Sequence, residues 1–451
     1  MATLIIGVGG TGQHIAMACA RLARLRALPR DRYDCFVIDS DDQSPLARRL
    51  KTFDETWVAG SEKGEHPLAG AEEIHPPFAR QAGKTEFGQI VIRPESSTAE
   101  REVFELLFDD DASRKDLQKG MFGRPSIAAT VYALGPDIAG LAGALNSAEQ
   151  VVVCGSFAGG TGAGITHQLV SILRKQVGHK KLYGVFLLPW LRLGGSGEAD
   201  VNDAVLDKNK RHGLDYYFNH TAPQLSRSVL LGVPDQTPDW LKPAVPDLNK
   251  SEETPHLLHL IAAETLKELP ELPTVAIEGQ VYVYGYDEAQ RAMPYRSMWD
   301  RVSLLDRVQA GQFVLHLLTH LGSAKMKEEM FGAFRPLIGS PKAITKPLYE
   351  TLNVHMAKPN TLDKKTFIGR VIEGWATSRR QLESSLGWVS SLIGSPGQHN
   401  LVDEAKSNPM AVLERHLVTH TADPVRIRTP EEVAFMVEDD LFNAFMKGTT
   451  R

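Results

Sequence analysis

The sequence predicts an α/β protein, a parallel sheet with helices on both faces followed by a divergent, mostly helical C-terminal region. Three observations predict it. Over residues 1–235 short β-branched runs alternate with helical stretches, the pattern of strands joined by crossover helices. The runs show little alternation of apolar and polar residues, as strands buried on both faces do. Two of the helices open at a glycine loop that directly follows a strand.

Taken in order, the strands expected are Thr3–Ile6, Cys35–Ile38, Gln89–Ile92, Val151–Cys154, Leu182–Leu188 and Ser228–Leu231. Between them, Gly12–Leu28 sets Ile15, Cys19, Leu22 and Leu25 at helical spacing, and Gly164–Val177 does so with Ile165, Leu169 and Ile172. Residues 54–87 are rich in Gly, Pro and charge without a period and read as a surface excursion. After Pro234, Pro238, Pro243 and Pro246 a helix resumes over His256–Leu269, followed by one convincing strand at Gln280–Tyr284. Helical stretches near 298–322, 367–393 and 430–446 complete the chain. The organisation expected is a domain over 1–235, a connecting helix with a partial second α/β domain over 236–330, and a helical region over 331–451.

Composition narrows the function classes. The 451 residues carry 50 Lys+Arg against 55 Asp+Glu, a net charge of -5 that offers no positive field to a phosphate backbone, so direct nucleic-acid binding is not expected. Cys19, Cys35 and Cys154 form no CxxC pair, which argues against a disulfide framework or a cysteine zinc site and for a reducing, cytoplasmic setting. No apolar run reaches the ~18 residues that span a bilayer, and MATLIIGVGG reads as neither a membrane helix nor a secretion signal.

The chemistry lies in the glycine loops. Gly7, Gly9 and Gly12 stand in a GxGxxG frame between a strand and a helix, where glycine lets the backbone turn tightly and approach a phosphate under the positive helix end. A second loop places Gly155, Gly159, Gly160, Gly162 and Gly164 between a buried strand and an amphipathic helix. Glycine at that density costs conformational entropy and indicates a cradle of consecutive amides, to which Thr161 would add a hydroxyl.

Two such loops in one domain resemble the tubulin/FtsZ family. FAGGTGAG, Phe157–Gly164, is similar to its shared glycine signature, and IIGVGGTGQHIA to the first nucleotide loop of FtsZ. FVIDSDDQ, Phe36–Gln43, resembles the second loop, and GMFGRPSIAA, Gly120–Ala129, occupies the place of the third loop and its helix. The resemblance implies a tubulin/FtsZ-like nucleotide-binding domain of Rossmann type over 1–235, binding GTP or GDP with Mg2+ and self-associating head to tail, with protein partners reached through the C-terminal region. Carried over by position, Gly9, Gly10, Thr11 and Gly12 would lie beside the α and β phosphates, with Gln13 and His14 near phosphate and base. Asp41 would stand near the phosphates and the metal, and Ala158, Gly159, Gly160, Thr161, Gly162 and Ala163 would wrap the β and γ phosphates. Residues 195–200 would approach the ribose.

The match also departs from the family. His14 stands where FtsZ has Asn, so guanine preference is inherited rather than read; Asn209 and Asn249 are candidate base readers, each also explicable as a surface residue. The acidic Asn-x-Asp pattern that positions water in the family does not follow His256–Leu269, so the catalytic residues are unknown and hydrolysis stays open. Two other readings remain. One is an NAD(P)-dependent oxidoreductase in which Asp39, 27 residues after Gly12, holds the ribose. The other is a non-polymerising regulatory subunit of a partitioning or phage-defence assembly. Arg21, Arg24, Arg26, Arg30 and Arg32 read as a solvated helix face or, alternatively, as a subunit contact or a contact for an acidic partner, and Tyr216–Phe218 as core packing ahead of base stacking.

Overall fold

The computed structural model describes residues 3–28, 33–41, 46, 74–75, 83–121, 123–134, 141–192, 203–233, 254–269, 279–285, 301–321, 367–416 and 430–449. They divide into two compact units. The first holds the described residues from 3 to 20 and from 33 to 285, and the second holds Arg21–Leu28 with the described residues from 301 onward.

In the first unit β1 (Thr3–Val8) runs straight into α1 (Gly9–Arg24), followed by β2 (Tyr33–Ile38) and the two-residue β3 (Ile74–His75). Three short helices come next, α2 (Phe87–Val91), α3 (Thr98–Leu107) and α4 (Asp110–Ser113), then a 3-10 turn at Leu117–Lys119. After α5 (Pro125–Ala133) and α6 (Leu141–Ser147), β4 (Gln150–Ser156) leads into α7 (Gly160–Val177). β5 (Lys181–Leu187), α8 (Asp203–Tyr216), β6 (Arg227–Gly232), α9 (Leu257–Glu268) and β7 (Gln280–Gly285) complete the unit.

All seven strands are parallel, in the order β3-β2-β1-β4-β5-β6-β7. This is the doubly wound order with one strand added, and the direction of winding reverses between β1 and β4. Because the strands are parallel, the carboxyl ends of β1, β2 and β4 share one edge, with Gly7 of β1 registered between Val37 and Cys154. β7 pairs with β6, so the sheet continues past residue 235.

Both faces of the sheet are covered. Leu4, Ile6, Val8, Val151, Val153 and Phe186 join one core with residues of α5 and α7, such as Ile127, Val131, Ile165 and Leu169. The alternate residues Ile5, Val37, Val152 and Val185 are as fully buried on the other side. There α9 lies over β5 and β6 with every residue from Leu257 to Leu266 buried, and His14 of α1 stacks on its His259 at 4.4 Å. Cys154 and Cys19 meet on that face, and burial pushes both thiols up.

Five of the expected strands of the first 235 residues, and Gln280–Tyr284, form as β1, β2, β4, β5, β6 and β7. Gln89–Ile92 does not: Phe87–Val91 is helical, with Phe87 and Ile90 buried at i and i+3 and Gln89 exposed between them. A short apolar run carries no period long enough to separate helix from strand, and burial of one side decided it here. Most of the expected excursion at 54–87 lies outside the described residues.

The second unit is helical as expected: α10 (Arg301–Leu321), α11 (Phe367–Ile393), α12 (Asn400–Ser407), α13 (Pro409–His416) and α14 (Pro430–Thr449). α10, α11 and α14 pack against one another around Phe313, Leu382, Leu441 and Phe445. The arginine cluster corrects an expectation, because Arg21 and Arg24 are only 4% and 2% exposed. Arg24 pairs with Glu438 and donates to Ser378; Arg26 pairs with Glu438 and Asp439 over the Phe442 ring; Arg21 lies over Trp388. The acidic partner of these arginines belongs to the chain itself. A guanidinium is buried only when its donors are satisfied, and α14 supplies the acceptors. Arg30 and Arg32 lie outside the described residues.

Candidate functional site

Four segments meet at the carboxyl edge of the sheet, at the reversal between β1 and β4. Gly12 packs its backbone on Gly7, where a Cβ would stand 2.4 Å from the Gly7 carbonyl carbon, so the first turn of α1 folds back onto the end of β1. Gly9 has φ +69, and a Cβ there would be 3.0 Å from the Gly162 amide nitrogen: the two glycine loops touch backbone to backbone. A Cβ on Gly160 would meet Met121 at 2.8 Å and the Gly123 nitrogen at 3.0 Å, which brings in the 120–124 segment. A Cβ on Gly120 would in turn stand 3.9 Å from the Asp41 Cβ, which brings in the end of β2.

Asp39 ties the segments together. Its carboxylate accepts from Gln13 Nε2 at 2.8 Å, from Thr161 Oγ1 at 3.0 Å and from the Ser40 amide at 2.8 Å. Burial pushes its pKa up to about 6, with Asp41 adding to the rise; the bonds from Thr161, Ser40 and Gln13 work against it. Asn209 of α8 is a second tie, donating through Nδ2 to the Gly123 carbonyl at 2.8 Å and to the Ala158 carbonyl at 3.1 Å. Ser156 accepts from the Ala158 amide at 3.2 Å. On the other side Trp190 Nε1 donates to Thr11 Oγ1 at 3.2 Å, and its ring meets His14 and His259 edge to face at 5.0 and 4.2 Å.

The helices α1 and α7 both begin in this cluster, and the first amides of a helix have no partner within it. The two N-termini present positive ends and unbonded N–H groups, the arrangement that accepts an anion. At Gly10 and at Gly159 a Cβ would meet nothing within 4 Å, and neither has a positive φ, so here glycine is required by no neighbour among the described residues. The cationic Arg124 of the third segment turns instead to Asp109 and Asp111.

Each expected site residue can now be placed. Gly9, Gly10, Thr11, Gly12, Ala158, Gly159, Gly160, Thr161, Gly162, Ala163 and Asp41 lie on the converging segments. Gln13 is buried and turned to Asp39, and His14 stacks on His259 and meets the edge of Trp190. The Thr161 hydroxyl, expected to face an anion, is given to Asp39, leaving its amide for that role. Asn209 holds the loops by its carboxamide. Of Tyr216–Phe218, Tyr217 is core, bonded to Ser228, while its neighbours are half exposed. Asn249 and residues 195–200 lie outside the described residues. The residues that sequence missed are Asp39 as a tie and Trp190 as a brace; the crowding of Asp39, Asp41 and Asp42 signalled the first, and nothing in the spacing signalled the second.

Fold and site together define a doubly wound α/β protein with a backbone cradle at the switch point of its sheet. No protein-family model matches the chain, and no curated protein does. Among solved structures it is similar to CetZ2 from Haloferax volcanii, a GTPγS-bound protofilament, at 16% identity and a TM-score of 0.32 over 60% of this chain and 58% of that one. It is similar to the GDP-bound CetZ1 monomer from the same organism at 13% identity and a TM-score of 0.35, over 62% and 66%. It also resembles the empty FtsZ dimer of M. jannaschii at 16% identity and a TM-score of 0.31, over 61% and 55%. The chain thus covers less than two thirds of the length of each.

Proposed function

We propose that the chain is a tubulin/FtsZ-like nucleotide-binding protein that holds the polyphosphate of GTP or GDP between the N-termini of α1 and α7. The observation that carries the reading is the meeting of the two glycine loops at Gly9 and Gly162, each with an open-faced glycine beside it. Gly10, Thr11 and Gly12 would take the phosphates from one side and Gly159, Gly160, Thr161 and Gly162 from the other, through backbone amides and helix dipoles. Asp39, Gln13 and Asn209 hold the loops in register.

Mg2+ fits this cradle. It binds phosphate oxygens together with one or two carboxylates, and Asp41, beside Gly120, is the carboxylate that would hold it. When bound, the ion neutralises phosphate charge. No group of three or more ligating side chains occurs among the described residues, so the ion would take most of its ligands from nucleotide and water.

Head-to-tail self-association rests on the motif resemblance alone, as do protein partners at the helical C-terminal region. The dinucleotide alternative is weaker, because Asp39, the residue it needs for the ribose, engages both carboxylate oxygens within the protein.

The test uses Gly10→Asp and Gly159→Asp, which place a carboxylate in open space without strain or clash. GTP at about 100 times its Kd should stabilise the wild type by about 2.7 kcal/mol and neither variant, both of which should melt near the wild-type temperature without ligand. Stabilisation retained by both variants rejects the placement of the site. A wild type stabilised by NAD and not by GTP rejects the nucleotide class. Sedimentation with a non-hydrolysable GTP analogue tests assembly.

A further inference from the structure

α3 carries a wide apolar arc of which only one side is buried. One face carries Phe104, buried in an aromatic group with Phe87 and Phe108 at ring distances of 5.3 and 5.2 Å. The adjoining flank carries Val103, Leu106 and Leu107 at i, i+3 and i+4, and these are 54%, 84% and 66% exposed. Scattered exposed apolar residues are ordinary, but three on one stripe of one helix make a contiguous patch. The surrounding charge is of one sign. Glu102, Glu105 and Asp110 are exposed and enter no ion pair among the described residues. Arg101, the basic residue of the helix, is turned away to the carbonyls of Arg93, Pro94 and Ser96.

We propose that the Val103–Leu106–Leu107 stripe is a docking surface for a partner protein's amphipathic helix whose apolar face is rimmed by lysine or arginine. The apolar stripe supplies the buried contact and the unpaired carboxylates supply orientation and selectivity. A second copy of this chain docking stripe to stripe would set Glu102 and Glu105 against their own kind, and anionic lipid headgroups would be repelled in the same way. The surface is held rigidly. The excursion that bears it is closed at its base by the Leu117 amide to the Thr85 carbonyl and the Phe87 amide to the Lys115 carbonyl, both at 2.9 Å. A capping box of Ser97 and Glu100 fixes the start of the helix. Three residues beyond Leu117 the chain reaches Gly120 and the site segment, so a partner here would sit at the root of the third loop.

The test titrates the 451-residue chain into two labelled helical peptides of equal length, one with a leucine face rimmed by lysine and the other rimmed by glutamate, read by fluorescence anisotropy. The wild type should bind the lysine peptide and ignore the glutamate one. Leu106→Glu, at a position exposed enough to leave folding unchanged, should weaken that binding about tenfold or more although it makes the protein more acidic. The double variant Glu102→Lys with Glu105→Lys should exchange the preference. Equal lysine-peptide binding by wild type and Leu106→Glu would mean charge attraction alone and overturn the proposal, as would no binding by the wild type. A wild-type dimer that Leu106→Glu dissociates, or vesicle binding that it abolishes, would overturn it in favour of another occupant.

Discussion

Asp39→Asn exposes what holds the two glycine loops together. The carboxylate is buried and its pKa has moved from an ordinary 3.8 to about 6, which at about 1.4 kcal/mol per pH unit corresponds to about 3 kcal/mol. The native state therefore holds this proton more tightly than the unfolded chain does. Its stabilising effect is fully present below pH 3.8 and is lost as pH rises through about 6. Asparagine can still accept from the Thr161 hydroxyl and the Ser40 amide, and a flipped Gln13 can accept from its NH2 group, so the variant keeps the tie without the charge. Urea unfolding of both proteins should be followed from pH 4 to 7.5 by a probe in the first unit, such as Trp190 fluorescence. The stability of the wild type should fall relative to the variant by about 2.4 kcal/mol over that range, most of it before pH 6.5. Parallel profiles would refute the argument, since they would mean that Asp39 titrates alike in folded and unfolded chains.

Two other variants test the packing. Gly12→Ala drives a methyl into the Gly7 backbone at 2.4 Å, where no side chain can move aside, and should cost about 1–3 kcal/mol or more in thermal denaturation; a melting temperature unchanged from wild type would contradict it. Arg24→Ala takes one of two guanidinium partners from buried Glu438, leaving Arg26, and should cost the helical unit up to about 3 kcal/mol by circular dichroism, while Arg24→Met with Glu438→Leu should recover most of the loss.

Gly160→Asp is a poor probe of ligand binding, because the substituent meets Met121 and Gly123 before it reaches any ligand. Gly10 and Gly159 are the informative positions. Both glycines look alike to a reader of the sequence, and only the surroundings separate a glycine required by a neighbouring backbone from one that faces open space.

Much of the fold and of the site was legible in the residues themselves. Strand, glycine loop and helix follow one another at Leu4–Ile15 and at Val151–Ile165 because their signals are local: buried β-branched runs, backbone freedom, and a helical period. What the chain folded into decided the rest. Phe87–Val91 became helical because one side of it was buried, and β7 joined the sheet because β6 offered it an edge. Arg24 found its carboxylate 414 positions away, and Asp39 found Thr161 122 positions away. Pairings at such separations leave no periodic trace in composition or spacing; they arise when buried polar groups must be satisfied, and the tertiary structure alone selects the partner.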